Sequence, residues 1–136
     1  MSLHLMTSRR LSVLVAIHNH RTCRSVAAAL LSEGHHIYIA ASGAEALVYF
    51  SPHRFDVVVV DFALPSQNGI ELAECIRRRS PAQKILLLDG AAECLPESGT
   101  PRCVDLVFRE PLSHEAVAAA VQLLGAPCAQ LDVVRR

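Results

Sequence analysis

No surplus of charge of either sign marks this 136-residue chain: 13 basic residues stand against 13 acidic ones. A balanced chain lacks the electrostatic footprint of a nucleic-acid or anionic-membrane binder, so direct contact with either is not expected. No apolar stretch approaches the roughly 20 residues that span a bilayer. The segment from Met1 to Thr7 is too short and interrupted for a signal peptide. No C-x-x-C pair occurs among Cys23, Cys75, Cys94, Cys103 and Cys128, which argues against a zinc ribbon or a thioredoxin-type redox pair. Five widely spaced cysteines fit a reducing compartment, and a cytoplasmic location is expected. No glycine-rich phosphate loop follows the first apolar run, and no repeat or low-complexity tract is present.

What is present is a globular composition, 51% hydrophobic, in a length suited to one domain. Apolar strand-like runs alternate with amphipathic helical ones. Leu11 to Ile17 reads as strand one. Thr22 to Glu33 carries Cys23, Val26, Ala27, Leu30 and Leu31 at helical spacing, with Gly34 as a left-handed stop. Ile37 to Ala40 is a short second strand. Ser42, with Glu45 three residues on, opens a helix to about Phe50. The run Val57-Val58-Val59-Val60-Asp61 leaves no polar face, as expected of a central parallel strand buried on both sides. Gly69 opens a third helix with Ile70, Ala73 and Ile76 inward; Arg77 to Arg79 read as its solvated, dipole-matched end. Ile85 to Asp89 is strand four and Cys103 to Phe108 strand five. Ser113 caps a last helix with Val117, Ala120, Val121 and Leu124 on one side. Gly90, Pro96, Gly99 and Pro101 predict that residues 90–102 lack a regular helix and are mobile. The pattern is that of an α/β fold, a doubly wound five-stranded parallel sheet. The domain covers residues 10–125, and residues 126–136 read as a C-terminal tail or truncated linker.

In such a sheet the chemistry collects at the carboxyl ends of the strands. Strand one ends in His18, Asn19 and His20, strand three in Asp61, strand four in Asp89, and strand five in Arg109 and Glu110 before Pro111. A metal-binding protein or small enzyme of flavodoxin-like fold, using His18, Asp61 and Asp89, is one reading of that set. Zn²⁺ on His18 and Asp61 would be its softer-ion form. The blander reading has His18 as a neutral residue filling a cavity and His20 as a solvated helix-start residue.

The chain resembles the receiver domains of response regulators, the phosphorylated modules of two-component signalling, over roughly residues 11 to 124. The resemblance rests on Val57 to Asp61, on Leu64-Pro65 followed by Gly69, on Ala41 to Leu47, and on Pro111. It implies a flavodoxin-like fold with strand order 2-1-3-4-5 and Asp61 at the phosphoacceptor position. It also implies a cytoplasmic phosphorelay in which a histidine kinase, an output domain or a second copy of the chain is the partner. The partner face would comprise residues 90–102, strand five and the last helix. Several positions depart from the family pattern. His18 and Asn19 stand where an acidic pair holds Mg²⁺, Asp89 where a Thr or Ser contacts the phosphoryl group, Glu110 where a Lys stands, and Val107 where an aromatic switch residue is usual. Mg²⁺ prefers hard carboxylate oxygens, so no cofactor and at most weak Mg²⁺ binding are expected. The expectation is a divergent receiver acting through protein–protein contacts, no enzyme beyond transfer at Asp61. A conventional phospho-accepting receiver with atypical ligands is the rival. Asp61, Asp89 and Glu110 are expected to converge without an offsetting cation, raising at least one carboxyl pKa.

Overall fold

In a computed structural model, residues 10–90, 101–109 and 113–126 are described. Five parallel strands form one sheet in the order β2-β1-β3-β4-β5, with β1 at Ser12–Ala16, β2 at His36–Ala40, β3 at Val57–Asp61, β4 at Lys84–Asp89 and β5 at Leu106–Arg109. Among the described residues, four helices cover it: α1 at His20–Ser32, α2 at Gly43–Tyr49, α3 at Gly69–Arg79 and α4 at His114–Leu124. This is the expected doubly wound arrangement. Residues 91–100, where an irregular and mobile segment was expected, lie outside the described residues, as do Glu110 and Pro111.

β3 sits at the centre because its sequence suits no other place. All four valines are fully buried. Val57 and Val59 face a layer built from Val26 and Leu30 of α1 and Val117 and Val121 of α4. Val58 and Val60 face Ala46 of α2 and Leu72, Ala73 and Ile76 of α3. Each such burial is worth roughly 1.5–3 kcal/mol. The helix faces differ in detail from the sequence reading. Leu72 is a core residue of α3 and Ile70 only half-buried, whereas Leu31, at the margin of the α1 stripe, is 57% exposed.

The helix boundaries follow their caps. α1 begins two residues earlier than the apolar stripe suggests, because the Asn19 side chain accepts from the Thr22 amide at 3.0 Å. It ends in a Schellman turn: His35 N–H reaches Leu30 O and Gly34 N–H reaches Leu31 O, with Gly34 at φ +89°. Ser42 caps α2, but Glu45 returns its bond to Ala41 N–H and not to the cap residue. The reciprocal capping box belongs to α3, between Asn68 and Glu71.

β5 starts later than the apolar run suggests because Asp105 takes over its first pairing. The Asp105 amide donates to Ile85 O and its carboxylate accepts from Ile85 N–H, each at 2.8 Å. Cys103 and Val104 are buried in the turn before it. Arg77 corrects the picture of a solvated helix end. Its guanidinium donates to the carbonyls of Pro81 (2.9 Å), Gln83 (2.6 Å) and Cys103 (3.0 Å) and pairs with Asp105 at 3.1 Å. Arg79 lies 5.3 Å over the Phe50 ring and donates to the Phe50 carbonyl, and only Arg78 fits the simple solvated role.

Arg77 thus ties α3, the turn before β4 and the approach to β5 into one corner. Arg77→Ala should lower stability by about 2–4 kcal/mol, since charged donors to several carbonyls are lost together. Arg77→Lys should recover little, because an ammonium cannot span the same fork. Urea unfolding followed by circular dichroism (the chain has no Trp) checks both; a loss below about 0.5 kcal/mol would contradict the clamp.

Candidate functional site

The carboxyl edge of the sheet collects the polar strand ends. Asp61 closes β3, half-buried, with its Oδ1 accepting from the Ala63 amide at 3.4 Å. The loop after it folds straight back. Phe62 N–H extends the ladder to Leu88 O at 2.8 Å, and Gly69 N–H returns to Phe62 O at 2.9 Å. This return brings α3 so close that a Cβ on Gly69 would stand 2.5 Å from the Asp61 carbonyl oxygen. Glycine is required here by contact rather than by backbone angle. Ser66 takes the left-handed bend of the loop, at φ +70°.

Asp89 closes β4 and is fully buried. Its carboxylate meets the Arg109 guanidinium at 3.4 Å, the salt bridge of the pocket. The two residues are register partners in adjacent parallel strands, so their side chains leave the same face of the sheet. The expectation of acids converging without an offsetting cation is therefore corrected: Arg109 supplies the cation. The pairing could have been read from sequence by noting that positions 89 and 109 end neighbouring strands. Glu110 and Pro111, the other two positions assigned to the pocket, lie outside the described residues.

The residues after β1 do not fill a cavity. His18 is exposed, and its Nδ1 lies 3.2 Å from the Ala41 carbonyl. Asn19 spends its side-chain oxygen on the α1 cap. His20 is the exposed first residue of α1. The cavity-filling role expected of His18 fails because the β1–α1 turn carries it out over the β2 end. Val107 is half-buried against the core.

Burial raises the Asp61 carboxyl above the ordinary carboxylate range, and the negative Asp89 adds to that push. The amides of Ala63 and Phe62, and His18, work in the opposite direction and do not cancel it. The expected rise is present, with desolvation ahead of like-charge repulsion as its cause. The donor set does not match Mg²⁺. Asp61 offers a carboxylate, but Asn19 is committed to a backbone amide, Asp89 is bonded to Arg109, and His18 is a nitrogen donor on the surface. Among the described residues, no group of three or more His, Cys, Asp or Glu side chains is arranged to hold a metal ion.

Because the folded Asp61 holds its proton more tightly than the unfolded chain does, its contribution favours folding below about pH 4. That contribution is lost as pH rises toward the folded pKa. Asp61→Asn keeps the oxygen that accepts from Ala63 and removes the buried charge. It should raise Tm at pH 7 by an amount on the order of a few degrees and change it little at pH 3. Equal shifts at the two pH values in thermal melts would show that the carboxylate is not destabilised.

Comparison with known proteins fits this geometry. The response regulator receiver domain profile matches residues 13–96, more than half of the chain. The receiver protein CpdR of Brucella abortus is 32% identical over 92 residues, covering 66% of this chain and 77% of that protein. The virulence sensor protein BvgS of Bordetella bronchiseptica is 38% identical over 71 residues, 52% of this chain but only 5% of BvgS. Among solved structures, the response regulator TrrA of Thermotoga maritima, in complex with Mg²⁺ and BeF, superposes with a TM-score of 0.73 at 26% identity, covering 83% of this chain and 97% of that one. A CheY-like receiver from Methanospirillum hungatei gives 0.72 at 18% identity, 86% and 94% covered, and shows the fold alone. No helix among the described residues is long and apolar enough to cross a membrane. With Asp61 at the end of the central strand and the family profile running through it, the chain belongs to the response regulator receiver domain family of two-component signalling.

Proposed function

We propose that this receiver is a divergent one, which works through protein–protein contacts in the cytoplasm and is phosphorylated at Asp61 weakly or not at all. The observation that carries this reading is the state of the groups around Asp61. A carboxylate that accepts a phosphoryl group needs positive charge to offset the incoming oxygens. Asp61 has an acid beside it, Asp89, and the Arg109 cation is already bonded to that acid. His18 and Asn19 stand at the positions that family resemblance assigns to Mg²⁺, and both are engaged with backbone groups. Neither adds the hard anionic oxygen that would recruit the ion. We therefore propose no tight Mg²⁺ binding and no turnover of an external substrate.

The partner of such a domain would be a histidine kinase or an output domain, or a second copy of this chain. By family resemblance, the docking face would include β5 and α4, where Leu123 stands 70% exposed. The retained acceptor strand and its tight return loop favour the rival reading, a phospho-accepting receiver with atypical ligands.

Incubation with a small phosphodonor, with and without millimolar Mg²⁺, separates the two readings. The expected result is no Mg²⁺-dependent label on the intact protein by mass spectrometry. A Mg²⁺-dependent gain of one phosphoryl group on most of the protein, abolished in Asp61→Asn, would overturn the proposal in favour of the rival.

A further inference from the structure

At the end of the sheet opposite Asp61, a buried histidine holds together three elements that the signalling chemistry does not use. His35 follows the Schellman turn of α1 and is only 3% exposed. Its Nδ1 lies 3.0 Å from the amide of Leu11, at the head of β1. An amide nitrogen can only donate, so Nδ1 must present its lone pair and the ring is neutral, with its proton on Nε2. The Leu11 carbonyl accepts from His36 N–H at 2.8 Å, so both backbone groups of Leu11 are committed to the β2 entry. The Leu11 side chain lies under the end of α4, where a Cβ on Gly125 would come within 2.5 Å of it. From α4 itself, the Gln122 side chain faces the ring, and its amide favours an N–H there.

We propose that His35 is a proton-operated latch: its neutral ring fastens the head of β1 to the β2 entry, and with it the end of α4 that packs on the Leu11 side chain, and protonation of Nδ1 releases them. A proton taken from solvent onto Nδ1 turns the acceptor into a donor. Two N–H groups then face each other at 3.0 Å, and the Leu11 amide loses its bond inside the protein. A buried donor left unpaired is destabilising, and a buried imidazolium adds its own desolvation. The charged groups around the ring do not remove this conflict. Glu33 at the end of α1 and Asp56 before β3 favour the cation, but burial outweighs them and holds the ring below its ordinary range. Arg10, whose side chain lies over Gly34, adds no stabilisation for a second positive charge. From α4 the neutral Gln122 side chain also favours a protonated ring without outweighing burial, and that helix's one histidine, His114, and its Glu115 stand at the opposite end.

The sign follows from the neutral requirement. A histidine held below its ordinary pKa supports the fold fully above about pH 6.5, and that support is lost as pH falls toward the folded pKa. Within that window the population of the released state should rise up to about tenfold per pH unit. Amide hydrogen exchange between pH 7 and pH 5, corrected for intrinsic rates, reads this directly. Protection at Leu11, at His36 and in the last turn of α4 should fall together in the wild-type chain, while β3 stays protected. His35→Asn keeps an acceptor oxygen near the Nδ1 position but cannot titrate, so its protection should not vary with pH. The same pH dependence in His35→Asn would overturn the proposal. If that variant does not fold, the wild-type ring resonances decide the question. A His35 ring that titrates while α4 and Leu11 remain protected disproves the latch, and a ring that titrates in step with their exposure supports it.

Discussion

Everything in this molecule hangs on the burial of β3 on both faces. Four valines without a polar neighbour among them force one strand into the middle of the sheet, with α1 and α4 on one side and α2 and α3 on the other. Because the sheet is parallel and in register, centring β3 also fixes where each neighbour ends. Asp61 emerges between the ends of β1 and β4, and the tight return at Gly69 keeps the following loop from carrying it away. The reactive edge is a by-product of hydrophobic burial: the chain positions its acid by placing what precedes it.

The electrostatics of that edge turn on a difference in burial between two acids. Asp89 is sealed from solvent and has Arg109 against it, as a buried charge requires. Asp61 is only half-covered, and burial together with the unchanged sign of its neighbour makes ionisation harder for it. A receiver site ordinarily gathers positive charge around its acceptor. Here the cation is committed one strand further along the sheet. The opposite edge follows the same logic in a neutral form, with His35 required to stay uncharged by the amide it accepts from. Both ends of the sheet therefore hold a group whose protonation state is set by burial.

Aspartates at strand starts and an arginine at a helix end show how polar residues finish what the apolar pattern begins. Asp56 and Asp105 each supply a carboxylate oxygen to the amide of a neighbouring strand, Ser12 and Ile85, where the ladder would otherwise open. Arg77 collects three carbonyls from two separate turns. These contacts are long-range, and in sequence the same residues look like ordinary surface charge.

Periodicity and punctuation determined the fold. The valine run, the helical stripe from Cys23 to Leu30, the Gly34 stop and the Ser42 and Ser113 caps are local features, since each reports the burial or hydrogen bonding of its own segment. The strand ends, and hence Asp61 and Asp89 as edge residues, were legible for the same reason. Tertiary structure alone decided the rest. The outward turn of His18, the commitment of Asn19 to a cap, the Arg77 clamp and the neutral ring of His35 each depend on a partner brought close by folding. A side chain's burial can be inferred from its neighbours in sequence, but its charge state and hydrogen-bond partner are set by neighbours in space. That is why the strand-end positions of Asp61 and Asp89 and the direction of the carboxyl shift could be read in advance, whereas the leading cause of that shift and the hydrogen-bond partners could not.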